Sequence, residues 1–549
     1  MNRCCKLLEK VDNNSDLVVL PLHSALVPSD QKKVFKRFPS KRKIIVSTNI
    51  AETSITVDDC VATIDTGRVK SLKYDSLSNT SKLIETFVSK AEAKQRRGRA
   101  GRVRNGYSYK LFSKNVYETM DDLPTPEIKR VGLESLYLSV RSMGIKNVTK
   151  FLQKGLDPPP LSALQKAEQM LTTTGLVDES DKSLTELGKF VSLLPVMDSK
   201  HGKLLIYSII FGCTDIGVLI ASILSVGTSV FINEYENRNA IRSILSEYEK
   251  LGDVLAVTLL LNKYFHLDGP NRRKFLKDNL LSYNKVTEIS SSRTQFYSNL
   301  KDIGFLPFDY KPDSSTSNYL NRNSKNLDII KCVISGSFYP NIARVQLPET
   351  KFVATGVGAV EKDQDAKLTK YWIRNEEFID KLYNEEYDPD SDILPASRAF
   401  VHPSSLIFSA SNSAPKDIQS TDSVEDLSSI KKSQSTNSLK APFVVFTGTQ
   451  HTGKLYIKGL TPTSTIAVLL FGGSLSYNLS TSLNSPHVVV DNWSPLRIWC
   501  KNGILIKELR SLIDEVIKEK LDNPHYIKED YSTKGDDVLK IVEKIVKTN

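Results

Sequence analysis

Cysteine is scarce. Cys4, Cys5, Cys60, Cys213, Cys332 and Cys500 are the only six in 549 residues, and none forms a Cys-x-x-Cys pair. That argues against a zinc ribbon, a thioredoxin-like site or a disulfide scaffold, and it fits a reducing compartment. Long apolar runs are missing too. None reaches the roughly 18 residues of a membrane-spanning helix. The greasiest stretch, residues 204–230, is interrupted by Cys213, Thr214, Asp215 and several glycines, and reads as buried helix. The opening Met1-Asn2-Arg3-Cys4-Cys5-Lys6 has no apolar signal core. A cytosolic or nuclear protein with no membrane partner is expected. The seven histidines are scattered without a His-x-x-x-His, so no metal site is predicted.

At 40% apolar and 25% charged residues the composition is that of a folded chain, and 549 residues are too many for one core. The formal charge is +11. Residues 1–150 hold 28 Lys and Arg against 16 Asp and Glu, so the whole surplus sits in the first quarter. Such asymmetry suggests a polyanion partner there.

Residues 15–112 alternate short apolar strands (17–20, 43–47, 61–65, 107–111) with helix-capable stretches (30–38, 90–97). That alternation predicts a parallel α/β sheet. From about 120 to 310 the period is helical, with helices predicted over 133–138, 161–176, 184–190, 253–265 and 287–300. From about 328 strands return, with candidates at 332–337, 344–347, 443–447, 454–459 and 465–471, which suggests a small barrel. Phe338, Tyr339, Phe352, Tyr371 and Trp372 could stack on bases there, or pack its core. Residues 409–440, with ten serines, read as a disordered insertion. Residues 503–522 and the end of the chain read as helix.

Two runs carry chemistry. Gln95-Arg96-Arg97-Gly98-Arg99-Ala100-Gly101-Arg102 places four arginines in seven residues. They repel unless something negative is near. Arg99 and Arg102, three apart, would point the same way on a helix. Two converging guanidiniums suit a triphosphate, and Gln95 could orient a water. The second run follows a strand: Ser47-Thr48-Asn49-Ile50-Ala51-Glu52-Thr53-Ser54-Ile55-Thr56-Val57-Asp58-Asp59. The C-terminal ends of parallel strands are where ligands bind in open sheets.

Together the two runs resemble the DEAH-box RNA helicases of superfamily two. Residues 47–56 are similar to that family's motif five and 95–102 to its motif six. Leu20-Pro21-Leu22-His23-Ser24-Ala25-Leu26 is similar to motif four, and Gln31-Lys32-Lys33-Val34-Phe35 to its short companion. Residues 161–187 are similar to the winged-helix and helicase-associated segment. His402-Pro403-Ser404-Ser405 and Leu470-Phe471-Gly472-Gly473 are similar to signatures of the family's barrel. The likeness covers most of the chain and is nearest the large eukaryotic members with added RNA-binding domains. It implies a multidomain α/β, α and β architecture. In order these are a second RecA-like domain (1–118), a winged helix (119–190), a ratchet-like helical bundle (191–326), an OB-like barrel (327–502) and a helical tail (503–549).

The resemblance also implies roles. Arg99 and Arg102 would be arginine fingers on the γ-phosphate, with Gln95 and Ser54 at the attacking water. Phe35 would stack on the base, and Thr56 and Asp58 would meet the sugar. Ser24, Thr48 and Asn49 would hold the RNA backbone, and residues 70–85 would form the strand-separating hairpin. ATP with Mg2+ is the implied cofactor. RNA is the implied partner, and a protein activator or ribonucleoprotein is a second class of partner.

Two parts of such an enzyme are not in this sequence. Gly453-Lys454 is followed by Leu455 where a phosphate-binding loop has Ser or Thr, the run reads as lacking that loop's upstream glycine, and no Asp-Glu-x-His occurs. The Mg2+ ligands are therefore expected on a first RecA-like domain. Two readings follow: the C-terminal part of a 3′–5′ RNA helicase, or a stand-alone RNA-binding or scaffold relative. In either case the chain alone is predicted not to hydrolyse ATP. RNA-stimulated turnover by the purified chain, abolished by Arg99→Ala, would overturn this.

Overall fold

A computed structural model describes residues 1–11, 16–23, 26, 28–53, 55–75, 80–196, 198–312, 319–347, 351–355, 358–362, 369–388, 390–408, 441–478, 486–524 and 534–547. The serine-rich stretch 409–440 lies outside the described residues. The chain divides into two compact units. The first comprises Met1–Tyr74, Lys82–Val131 and Ile232–Asn237; the second comprises Asp75–Ser81, Gly132–Phe231 and Arg238–Asn549.

In the first unit the apolar runs form the expected short strands. β1 (Leu17–Leu22) and β2 (Arg42–Ser47) pair in parallel, with Leu17 opposite Arg42. β3 (Ala62–Asp65) is followed by β4 (Arg68–Asp75) and β5 (Thr80–Phe87), which neighbour each other as the hairpin foreseen over 70–85. β6 (Tyr107–Lys110) pairs in parallel with β3. A small core of Val88, Ala93 and Met120 packs with Val69, Phe112, Val116 and Tyr117.

The helix Lys90–Arg97 begins with a capping box. Ser89 Oγ accepts from the Glu92 amide, and the Glu92 carboxylate accepts from the Ser89 amide at 2.8 Å. This reciprocal cap satisfies two otherwise orphaned donors and fixes where the helix starts. Its phase turns Arg96 inward. Arg96 Nε donates to Glu52 on the short helix Ile50–Thr53, and Nη1 donates to Asp65 at the end of β3, both at 2.9 Å. Glu52 and Asp65 are both buried.

The second unit begins with helices where they are foreseen: Glu134–Ser142, Leu161–Thr173 and Glu186–Leu193, with an antiparallel bridge between Val177 and Leu184. Residues 204–230 are not one helix. Ser199–Ile210 and Thr214–Ser225 are separated at Gly212, whose φ is +66°. They are followed by Gly252–Phe265, Gly269–Asp278 and Tyr283–Asp302 around a core that includes Leu219, Leu245, Leu261 and Ile289. Arg272 is committed to its own fold, donating to the Leu267 and Phe265 carbonyls at 2.8 and 3.0 Å.

Two expected strands are helices. Residues 332–337 belong to Leu327–Phe338, capped by Asn326, and 465–471 are the helix Thr465–Phe471, capped by Ser464. Both are buried, so neither shows the polar stripe that would betray a helical period. The remaining strands close a barrel. β7 (Ile342–Gln346) is followed by the hairpin β8 (Lys351–Thr355) and β9 (Gly358–Lys362), then β10 (Lys370–Arg374), β11 (Ala396–Val401), β12 (Phe443–His451) and β13 (Leu455–Thr463). Pairing runs β7–β10–β11–β13–β12 and back to β7, antiparallel except for β11–β13. Phe338, Tyr339 and Tyr371 are buried; Trp372 is partly exposed. The side chain of Phe352 lies outside the described residues. The meander β14 (Leu475–Asn478), β15 (His487–Val490) and β16 (Ser494–Arg497) and the helices Cys500–Asp522 and Lys534–Lys547 complete the chain.

Gly448 stands six residues before Lys454, so this run has the glycine and lysine spacing of a phosphate loop. It is nevertheless the turn of the antiparallel β12–β13 hairpin, with Gly453 at φ +84°. A phosphate loop needs a strand, a loop and the amino end of a helix, and no helix follows here.

A buried ion network ties the barrel to the helix Leu161–Thr173. Lys166 Nζ donates to Glu376 at 2.8 Å and to Asp380 at 2.6 Å. Arg374 forks onto Glu376 at 2.8 and 3.0 Å and also pairs with Asp491, which accepts from the Tyr339 hydroxyl. Burial alone would raise the Glu376 carboxyl; Arg374 and Lys166 more than reverse this and hold it below the ordinary glutamate range. A carboxylate whose folded value is depressed stabilises fully above the unfolded value. That contribution is lost as pH falls through the folded one.

Glu376→Gln is expected to cost about 3 kcal/mol at neutral pH, because two buried cations lose their shared partner. It should also flatten the acid-induced loss of stability of the second unit. Urea denaturation at neutral and acid pH checks both effects. In the first unit, Arg96→Met strands two buried carboxylates at a cost on the order of 3 kcal/mol. Amide exchange should quicken across Lys90–Arg97 and β3 but not in the barrel; unchanged exchange would contradict the role given to Arg96.

Candidate functional site

The site is built on the C-terminal end of β2 and the turns after it. The Thr48 amide donates to the Leu22 carbonyl at 3.1 Å, and Ser47 Oγ donates to the same oxygen at 3.2 Å. β1 therefore ends level with β2 and leaves the side chains of Thr48 and Asn49 exposed beyond it. The Asn49 carbonyl accepts from the Glu52 amide, starting the short helix Ile50–Thr53. Ser24 and Ser54 lie outside the described residues.

The four arginines are sorted by geometry. Arg96 turns inward and Arg97 is exposed. Arg99 and Arg102 are not on a helix, contrary to expectation. The helix stops at Arg97, and Gly98 begins consecutive turns in which Arg99, Ala100 and Gly101 amides bond to the third residue before them. Those turns bring the pair together another way. Arg99 Nη1 donates to the Ile55 carbonyl at 3.2 Å, and Arg102 Nη1 donates to Thr56 Oγ1. The two guanidiniums thus lie against consecutive residues. Burial, and then the neighbouring Arg102 charge, push the Arg99 value down, while Glu52 opposes them. Arg99 Nε is buried without a hydrogen-bond partner. Crowded cations with an orphan donor fit an oxyanion, which would relieve both costs. Gln95, on the last turn of the helix, is exposed.

A second cluster lies around Lys43, which precedes the apolar centre of β2. Its Nζ donates to the Val34 carbonyl at 2.7 Å, to Lys36 at 3.1 Å and to the Asp59 carboxylate at 2.7 Å. Val34 and Lys36 flank Phe35, which ends the 3₁₀ turn Lys32–Phe35 and is 52% exposed. Asp59 neighbours the exposed Asp58. One partly buried ammonium thus fixes both the Phe35 turn and the Asp58 turn. Lys43, Glu52, Asp65 and Arg96 escaped the sequence reading as a functional framework. The signal was a charge inside, or at the end of, an apolar strand. Among the described residues no group of three or more His, Cys, Asp or Glu could hold a metal ion.

Comparison with known proteins agrees with this arrangement. Residues 1–104 match the family described as helicase conserved C-terminal domain. Residues 198–257 match the helicase associated domain (HA2), ratchet-like, residues 329–475 the oligonucleotide/oligosaccharide-binding (OB)-fold, and residues 487–548 the C-terminal domain in RNA helicases. The chain is 58% identical, over its whole length, to the putative ATP-dependent RNA helicase YLR419W of Saccharomyces cerevisiae, and covers 39% of it. It is 31% identical over 98% of its length to the putative DEAH-box ATP-dependent helicase UM11114 of Mycosarcoma maydis, covering 33%. With the human ATP-dependent RNA helicase DHX29 it shares 28% identity over 96% of its length, covering 34%. The chain therefore spans about two fifths or less of these relatives. With the motifs of its first unit, its helicase-associated helices and its closed barrel, the chain belongs to the DEAH-box RNA helicases of superfamily two, whose C-terminal portion it matches.

Proposed function

We propose that this chain supplies the second RecA-like lobe and the accessory domains of an ATP-dependent RNA helicase that moves 3′ to 5′. The observation that carries the reading is the Arg99 and Arg102 pair, held against Ile55 and Thr56 with one buried donor unmet. In this reading both arginines hold the γ-phosphate of ATP, and Gln95 and Ser54 position the attacking water. Thr56 and Asp58 hold the sugar and Phe35 stacks on the base, with Lys43 keeping their two turns in place. Bound ATP supplies the phosphoanhydride bond that is cleaved, and its Mg2+ is held by the first RecA-like lobe.

Ser24, Thr48 and Asn49 hold the RNA backbone. Hydroxyl and amide contacts to backbone carry no base information, so this track is insensitive to sequence. The hairpin β4–β5 separates strands. The lobe spans 1–118, followed by a winged helix over 119–190, the ratchet-like bundle to 326, the barrel to 502 and the helical tail. Winged-helix character is supported by three helices around the Val177–Leu184 bridge. We place the protein in the cytosol or nucleus.

Joining this chain in frame to the first RecA-like lobe of the Saccharomyces cerevisiae relative tests the reading. RNA-stimulated ATP hydrolysis is expected, and Arg99→Ala or Arg102→Ala should each lower kcat about a thousandfold. Full activity in both variants would refute it.

A further inference from the structure

We infer that Arg68 is a positioning residue for strand separation. It sets the angle between the β4–β5 hairpin and the arginine-rich helix, so that the hairpin follows the nucleotide. The inference rests on the helicase reading proposed above, in which that hairpin parts the strands.

The hairpin starts from the turn Thr66-Gly67-Arg68, and three backbone groups of this turn are held. The Gly67 amide donates to Asp65 Oδ1 at 2.9 Å, and the Gly67 carbonyl accepts from the Val88 amide at 2.9 Å. The Arg68 carbonyl accepts from Arg96 Nη1 at 3.3 Å. Gly67 has a φ of +69°, and the Phe112 ring lies 2.7 Å from where a Cβ would stand, so a side chain there would collide. The returning strand needs no separate tie. β5 ends at Phe87, and Ser89, two residues on, caps the helix Lys90–Arg97. Both strands are thus rooted on the helix that leads into Arg99 and Arg102.

The side chain of Arg68 closes this root. Its guanidinium lies 4.2 Å from the centre of the Phe87 ring, and Nη1 is 3.6 Å from the Glu85 carboxylate. One residue therefore acts in two directions. Its carbonyl takes Arg96 from the helix, and its guanidinium grips β5 across the hairpin.

An exposed ion pair adds little to global stability, and Arg68 and Glu85 are both about half exposed. What this pair supplies is restraint at the short end of a lever. β4 and β5 have eight residues each, so at ~3.4 Å per residue the hairpin reaches about 27 Å. Rocking by roughly 10° at the root would carry the tip about 5 Å, more than the ~3.4 Å between successive stacked bases. A wedge with that much play does not advance with the motion that drives it. The ring contact and the ion pair both span the hairpin at its root, where a small force suppresses the largest swing.

The test has two arms. In the full chain, Arg68→Leu should quicken amide exchange at the root of β4 and β5 at least about tenfold, with exchange in Lys90–Arg97 and the melting temperature unchanged. In the chain joined to the first RecA-like lobe, the same variant should keep RNA-stimulated kcat and the KM for ATP within about twofold of the parent and lower the base pairs parted per ATP at least about fivefold. Arg68→Lys keeps a cation at the ring and the carboxylate and should unwind as the parent does. Arg68→Glu should fail as Arg68→Leu does, and adding Glu85→Arg to it should recover most of the loss. Base pairs parted per ATP equal to the parent in Arg68→Leu would overturn the inference and leave the helicase reading standing. So would an equal fall in ATP hydrolysis and unwinding, which would tie Arg68 to the nucleotide site instead. Unchanged exchange at the root would overturn it from the full chain alone. Absence of RNA-stimulated hydrolysis in the unsubstituted fusion would sink the helicase reading and the inference with it.

Discussion

The first unit depends on one shared cation. Arg96 lies between Glu52, on the turn after β2, and Asp65, at the end of β3, and so ties the arginine-rich helix to both. Asp65 also accepts from the Gly67 amide at 2.9 Å, setting the turn into β4. Because Arg96 is fully compensated and Arg97 faces water, the uncompensated charge of the run is confined to Arg99 and Arg102. The overall basic surplus of residues 1–150 therefore says less about RNA than its size suggests. Part of it is structural, and part is concentrated at one point against the backbone of Ile55 and Thr56.

In the second unit, charged side chains instead hold backbone groups. Lys203 donates to the Thr174 carbonyl at 2.9 Å, and burial pushes its value down to about 8. Arg510 gathers the carbonyls of Leu469, Gly472 and Gly473, and so anchors the Leu-Phe-Gly-Gly turn to the helix Cys500–Asp522. Arg242 donates to the Ser405 and Phe408 carbonyls at 2.9 and 2.7 Å. Asp253 accepts from Ser405 Oγ and from the Leu406 and Leu460 amides, at 2.7–2.9 Å. The two motifs that read as signatures of the barrel are thus turns whose carbonyls and amides need charged partners from distant helices.

Much of this was legible in the sequence. The strands of the first unit and most helices announce themselves through period and composition, and the arginine run through its improbability. What was hidden has physical causes. In the helices Leu327–Phe338 and Thr465–Phe471 the stretches 332–337 and 467–471 are wholly buried, so their apolar runs look like strands, and only the Asn326 and Ser464 caps gave them away. Arg99 and Arg102 converge through turns at Gly98 and Gly101 where helical spacing alone suggested a shared face. Lys43 and Arg96 act through partners 16 to 44 residues away, a separation that local pattern cannot report.

The strand pairing of the barrel also bears on how this region can change over time. β11 and β12 follow one another in sequence, yet neither pairs with the other: β11 lies between β10 and β13, and β12 between β7 and β13. The chain leaving β11 is pinned by Asp253 and Arg242 as far as Phe408. No strand pairing of the barrel therefore runs directly from β11 to β12. The fold offers a place where new sequence can be gained, trimmed or replaced by a fused domain without renegotiating a single strand register.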